Sequence, residues 1–170
     1  MKGENREELI RRREDMEALT NTRLRLREVE MLLGISKTLA EFDTLDDMLM
    51  KLVEITTLEI GADRGTIFLN DSTTGELYSR VAQGNFKREI RILNDSGIAG
   101  WVFKTGDGTI VNDAYADSRF NPDIDKKTGY VTKSILCVPI RTVKGDVIGV
   151  AQCLNKLKGD FTPDDLKILA

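Results

Sequence analysis

Histidine does not occur in this chain, and that absence removes more chemistry than any one residue type supplies. Without imidazole there is no Ser–His or Cys–His nucleophile, no side chain whose ordinary pKa lies near neutrality, and little basis for a zinc or haem site. Cysteine is scarce as well. Cys137 and Cys153 sit in apolar, strand-like runs and form no Cys-x-x-Cys pair, so both read as small core hydrophobes. A large excess of charge of one sign is also missing. The 25 Lys and Arg against 28 Asp and Glu leave a net −3, which offers a phosphodiester backbone no basic field and makes nucleic acid an unexpected partner. No apolar run approaches the length of a membrane helix, and Met1-Lys2-Gly3-Glu4-Asn5 is polar with no apolar region behind it. The expectation is a cytoplasmic chain with no membrane span, no catalytic constellation, no metal and no resident cofactor.

What remains is enough for one well-buried domain and an appendage: 170 residues, 41% of them hydrophobic. The expected division is 1–41, a signalling and dimerisation helix, and 42–170, a globular domain. In the first part Leu19, Thr22, Leu26, Val29, Leu33, Ser36 and Ala40 alternate three and four apart, a coiled-coil seam interrupted by two hydroxyls. Residues 1–30 carry 8 basic and 8 acidic side chains, so the arginines there read as a salt-bridged helix face and not as a nucleic-acid arm.

From Thr44 a second helix is predicted, with Leu45, Met48, Leu49, Leu52 and Ile55 forming the face packed on a sheet. The period then changes from 3.6 to 2. Thr66–Leu69, Leu77–Ala82 and Glu89–Leu93 read as strands, the first two joined across Asp71-Ser72-Thr73-Thr74-Gly75. A short helix over Ile98–Thr105 ends at Gly106, a strand follows near Thr109–Val111, and a long connection runs to about Thr132. Ser134–Ile140 and Asp146–Leu154 form a closing hairpin, and Thr162-Pro163 opens a last helix, inside which the sequence stops; this favours a fragment of a longer signalling protein.

The run Asp95-Ser96-Gly97-Ile98-Ala99-Gly100-Trp101 makes a helix start where backbone N–H groups face outward, and Asn112-Asp113-Ala114-Tyr115, Phe120-Asn121, Asp125 and Thr128-Gly129-Tyr130 follow with amide, carboxylate and hydroxyl groups. Taken alone, Gly97 and Gly100 equally describe a tight turn. Together with Ile135-Leu136-Cys137-Val138-Pro139-Ile140, Val147-Ile148-Gly149-Val150-Ala151-Gln152 and Asn155-Lys156, these pieces resemble a GAF domain over about Leu32–Ala170, of the cyclic-nucleotide-binding type that regulates bacterial adenylate cyclases and animal phosphodiesterases.

The resemblance implies an α+β fold, a central antiparallel sheet flanked by helices, preceded here by the long N-terminal helix. It implies a cyclic-nucleotide site at Thr66, Ala82, Gln83, Ile98, Ala99, Phe120, Asn121, Asp125, Thr128, Thr132 and Gln152, and a structural motif at Asn155, Lys156, Phe161 and Asp165 in which lysine and aspartate pair; Leu166 stands where a glutamate often follows. With that context the Ile98 and Ala99 N–H groups suit a cyclic phosphate. Asp125, Thr128 and Thr132 fall three and four apart, so a helical turn would present their oxygens together to ribose or base. Trp101 and Tyr115 read as packing and loop-anchoring aromatics.

Guanine shows adjacent donors that suit an acid, whereas adenine pairs a ring acceptor with an amino donor and suits an amide. The amides of Gln83 and Gln152 therefore favour cAMP over cGMP. The expected partners are a cyclic nucleotide, a second copy joined through the N-terminal helix, and an attached output domain, with adenylate cyclase the resemblance's choice. The alternatives are a ligand-free dimerisation module or a GAF domain for another small molecule. Removing residues 1–30 is expected to weaken self-association in sedimentation. A full chain that stays monomeric at high micromolar concentration would contradict the seam.

Overall fold

The structure is a computed structural model that describes residues 44–84 and 89–170, together with residues 11–12, 15–16, 18–19, 22–23, 25–26, 29–30 and 33–34. It separates into two units, Met1–Asp43 and Thr44–Ala170. In the first unit the described residues are helical, and Leu19, Leu26, Val29 and Leu33 of the predicted seam hold exposed side chains. Thr22 satisfies its hydroxyl by donating to the Ala18 carbonyl at 2.8 Å. Ser36 and Ala40 lie outside the described residues.

In the second unit Thr44 caps helix α1 (Leu45–Ile60), its hydroxyl accepting the Asp47 N–H, and Gly61 ends the helix at φ +69. The predicted packing face is wrong by part of a turn. The buried residues are Val53, Thr57 and Ile60, with Leu49 and Met50 against Val53, while Leu45 and Ile55 remain 55% and 41% exposed. The reason lies in the sheet. At Gly65 a Cβ would stand 2.5 Å from Thr57 Oγ1 and 2.6 Å from Val53 Cγ1, so the helix settles where the strand has no side chain. Thr57, polar in sequence, tolerates burial because its hydroxyl donates to the Val53 carbonyl.

Six antiparallel strands follow in the spatial order β3-β2-β1-β6-β5-β4: β1 (Ala62–Asp71), β2 (Glu76–Ala82), β3 (Arg91–Leu93), β4 (Thr109–Val111), β5 (Ile135–Arg141) and β6 (Val147–Lys156). The strand predicted over Glu89–Leu93 is shorter, starting at Arg91, and that predicted over Thr66–Leu69 is longer at both ends. Central β1 pairs Thr66 with Ala82 on one side and with Gln152 on the other. Helix α2 (Gly97–Thr105) packs Ile98, Ala99 and Val102 on one core with Phe68, Leu77, Ile135, Cys137 and Val150. Helix α1 joins α4 (Pro163–Leu169) around a second core that includes Ile60, Leu136, Cys153 and Phe161. Burial pushes both thiols up, that of Cys153 to about 11, which suits packing residues.

The long connection is not bare: it holds a 3-10 turn at Ala114–Ala116 and helix α3 at Asp123–Thr128. Asn155, at φ +55, accepts the Lys133 and Ser134 N–H groups and donates to the Val131 carbonyl, fixing the approach to β5. Lys156 Nζ lies 2.9 Å from both Asp165 oxygens and donates to the Ile60 carbonyl at the end of α1. Burial pushes the Asp165 carboxyl up, but its bonds to Lys156 and Thr162 outweigh that and hold it below the ordinary range. Phe161 is buried beside them, its N–H donating to Asn112 Oδ1 and its carbonyl accepting from Asn112 Nδ2.

Gly65→Ala is expected to lower stability by about 1–3 kcal/mol in urea unfolding, the scale of an overpacked core. An unchanged midpoint would show that α1 does not rest on Gly65.

Candidate functional site

Between α2, α3 and the sheet lies a cavity that opens to solvent at its mouth. The period of two along β1 builds its floor: Arg64, Thr66 and Phe68 face the cavity, while Gly65 and Ile67 turn toward α1. Strand β6 adds Gln152 and Leu154, and Ile90, Ile92 and Ile135 supply apolar wall.

Ten of the eleven site residues predicted from sequence line this one cavity: Thr66, Gln83, Ile98, Ala99, Phe120, Asn121, Asp125, Thr128, Thr132 and Gln152. Ala82 does not. It pairs with Thr66 across the β1–β2 ladder but is not among the residues lining the cavity. Cavity-lining residues not named from sequence include Arg64, whose signal was its place two residues before Thr66, and Tyr130, quoted within a motif but given no role. The Arg64 guanidinium stacks 4.1 Å from the Tyr130 ring centre, and the Tyr130 hydroxyl donates to Asp63 Oδ2 at 2.7 Å. Burial and then the Asp63 carboxylate push the Tyr130 phenol well above its ordinary range.

The polar groups divide into those already engaged and those left open. Asp125 is engaged: its carboxylate accepts the Thr132 N–H and hydroxyl, both at 2.7 Å, and the Tyr115 hydroxyl at 3.1 Å. Thr132 does not continue the helix of Asp125, because α3 stops at Gly129, φ +72; it meets the carboxylate from the chain leading into β5. Thr128 bonds within the same turn, donating to the Ile124 carbonyl. Gln83 is half engaged, since its Oε1 accepts the Gly65 N–H at 2.7 Å and only its Nε2 faces outward as a donor.

Three features are open. Helix α2 has no side-chain cap, and the N–H groups of Gly97, Ile98 and Ala99 have no partner among the described residues. They point their positive end at the cavity. The Thr66 hydroxyl, on a residue only 5% exposed, and the Gln152 amide likewise make no hydrogen bond among the described residues. Phe120 closes one side with Tyr115 tilted against it, ring centres 5.0 Å apart. Trp101 packs α2 on the core under the Arg119 guanidinium, 4.4 Å from its ring, and Arg119 is itself clamped by Asp117. Asp125→Ala is expected to lower stability by about 1–3 kcal/mol in urea unfolding, because it strands buried Thr132 donors. Tyr115→Phe, which removes only the third bond, is expected to cost less. The reverse order would contradict the place of Thr132 as the main partner of Asp125.

Comparison with known proteins gives both sequence relatives and structural neighbours. The chain is 40% identical over 134 residues to "Probable 3',5'-cyclic phosphodiesterase pde-5" of Caenorhabditis elegans, covering 72% of this chain and 18% of that protein. It is 33% identical over 162 residues to "Dual 3',5'-cyclic-AMP and -GMP phosphodiesterase 11" of Drosophila melanogaster, covering 85% of this chain and 11% of that protein. In fold it resembles the GAF domain of the Acinetobacter phosphoenolpyruvate-protein phosphotransferase, with a TM-score of 0.69 at 20% identity over 84% of this chain and 85% of that one. Among the described residues no helix is long and apolar enough to cross a membrane. The pattern of the GAF domain family matches residues 44–170, and the chain belongs to that family.

Proposed function

We propose that this domain is a regulatory sensor that binds a purine cyclic nucleotide, cAMP in preference to cGMP, and passes the binding on to an attached output domain. The observation that carries the reading is the uncapped start of α2, three N–H donors facing a cavity whose floor offers the unengaged Gln152 amide and Thr66 hydroxyl. A cyclic phosphate carries one negative charge and exposed oxygens, which suits a helix N-terminus without an arginine. The names of the curated relatives support a cyclic-nucleotide context. The output domain is then an enzyme of cyclic-nucleotide turnover, a phosphodiesterase or an adenylate cyclase.

The preference for cAMP rests on Gln152. Its amide offers both a donor and an acceptor, the complement of an adenine edge, whereas Gln83 retains only its donor because Gly65 occupies the acceptor. Coupling of this kind is typically ~1–3 kcal/mol, enough to shift a population of states and not to switch it absolutely.

A second reading, a ligand-free dimerisation module, draws on the outer side of α1, where Leu45, Ile55 and Leu58 are 55%, 41% and 83% exposed. Titration calorimetry separates the two. Micromolar or tighter binding of cAMP, with cGMP weaker, is expected, and Gln152→Glu should shift the affinity ratio toward cGMP by roughly ten- to hundredfold. No heat and no thermal stabilisation from either nucleotide at millimolar concentration would leave the dimerisation module standing. An unchanged ratio in Gln152→Glu with binding intact would show that Gln152 does not read the base.

A further inference from the structure

Four elements of this fold begin at a residue able to cap them. Thr44, Asp113 and Thr162 stand in extended backbone, and each accepts the N–H three residues on. Ser96, before α2, stands in the same region at φ −112 and ψ 142 and caps nothing. Its hydroxyl is held elsewhere: Asn121 Nδ2 donates to Ser96 Oγ at 3.2 Å. The other end of that amide accepts the Asp123 N–H at 3.0 Å, which fixes the oxygen there and turns the nitrogen to Ser96. Asn121 thereby joins the start of α2 to the start of α3. The same cavity holds the Thr66 hydroxyl, on a residue 5% exposed and unpartnered among the described residues, an independent group open to a polar ligand.

We propose that Asn121 is a positioning residue of the anion site: it holds the Ser96 hydroxyl off the start of α2 and keeps the N–H groups of Ile98 and Ala99 open to a phosphate. A serine N-cap satisfies the second or third N–H of its helix, and in α2 those belong to Ile98 and Ala99. A capped α2 would present one donor fewer, and an arriving phosphate would have to displace the hydroxyl. Asn121 therefore acts through Ser96. The inference rests on the cyclic-nucleotide reading for the identity of the ligand, and it departs from the sequence-based expectation that Asn121 touches the nucleotide.

The test is a double-mutant cycle on the full chain with Asn121→Ala, Ser96→Ala and the pair. Amide hydrogen exchange at Ile98 and Ala99 is followed by NMR without nucleotide, and cAMP affinity is measured by calorimetry. In Asn121→Ala, exchange at one of these amides should slow several-fold as Ser96 swings into the cap. cAMP affinity should fall about fivefold, the worth of one N-cap bond. Both effects should vanish when residue 96 is alanine. An equal loss of affinity in both backgrounds would overturn the proposal by showing that Asn121 contacts the nucleotide. Unchanged exchange in Asn121→Ala would overturn it by showing that the backbone around Gly97, φ +72, keeps Ser96 away unaided. Should the wild type bind no cyclic nucleotide, the functional reading fails and the exchange measurement alone decides the role of Asn121. If Asn121→Ala does not fold, Asn121→Ser, still able to accept the Asp123 N–H but too short to reach Ser96, carries the same expectations.

Discussion

Everything in the larger unit depends on β1 being paired on both edges. With β2 on one side and β6 on the other, its backbone is satisfied by the sheet, and its side chains alternate between two tasks. Thr66 and Phe68 face the cavity and α2; Gly65 and Ile67 face α1. One strand is thus both the floor of the pocket and the seat of the outer helix. Gln83 closes the connection, its main chain donating to the Gly65 carbonyl and its side chain accepting the Gly65 N–H at the point where Thr57 and Val53 press from behind.

Around that strand the fold is thorough about polar groups. Among the described residues no buried side-chain nitrogen or oxygen lacks a hydrogen-bond partner. Lys156 and Asp165, both largely buried, answer each other, and Asp125 is met by Thr132 and Tyr115. Against this background the groups left open, the start of α2, Thr66 and Gln152, stand out because they converge on one cavity. An unpaired polar group in a closed interior costs about 1–3 kcal/mol, so their tolerance follows from access to solvent or to a ligand through the mouth.

Strands, caps and the order of elements were legible because they follow from local rules: Thr44 and Thr162 announce helix starts, Gly106 a helix end, and the run Ile135–Ile140 a buried strand. The face of α1 was not, since it is set by a glycine on another element and a buried threonine, neither of which carries a hydrophobic signal. For the site, residue identity carried far: ten of eleven positions reached one cavity. Their roles did not carry as far. Spacing alone placed Asp125 and Thr132 on a common helical face, whereas they meet across the end of α3, and nothing local shows that Asn121 occupies Ser96 or that Gly65 occupies Gln83. Those are long-range hydrogen bonds, decided only when the loop has folded back on the sheet.

Whether the start of α2 receives a cyclic phosphate is the point on which the functional reading turns, and a cAMP titration followed through backbone amide shifts addresses it residue by residue. The amide protons of Gly97, Ile98 and Ala99 should move downfield together and saturate with the bound fraction, as phosphate oxygens take up donors that the free protein leaves open. Saturating cAMP that shifts other residues while leaving these three unmoved would contradict it.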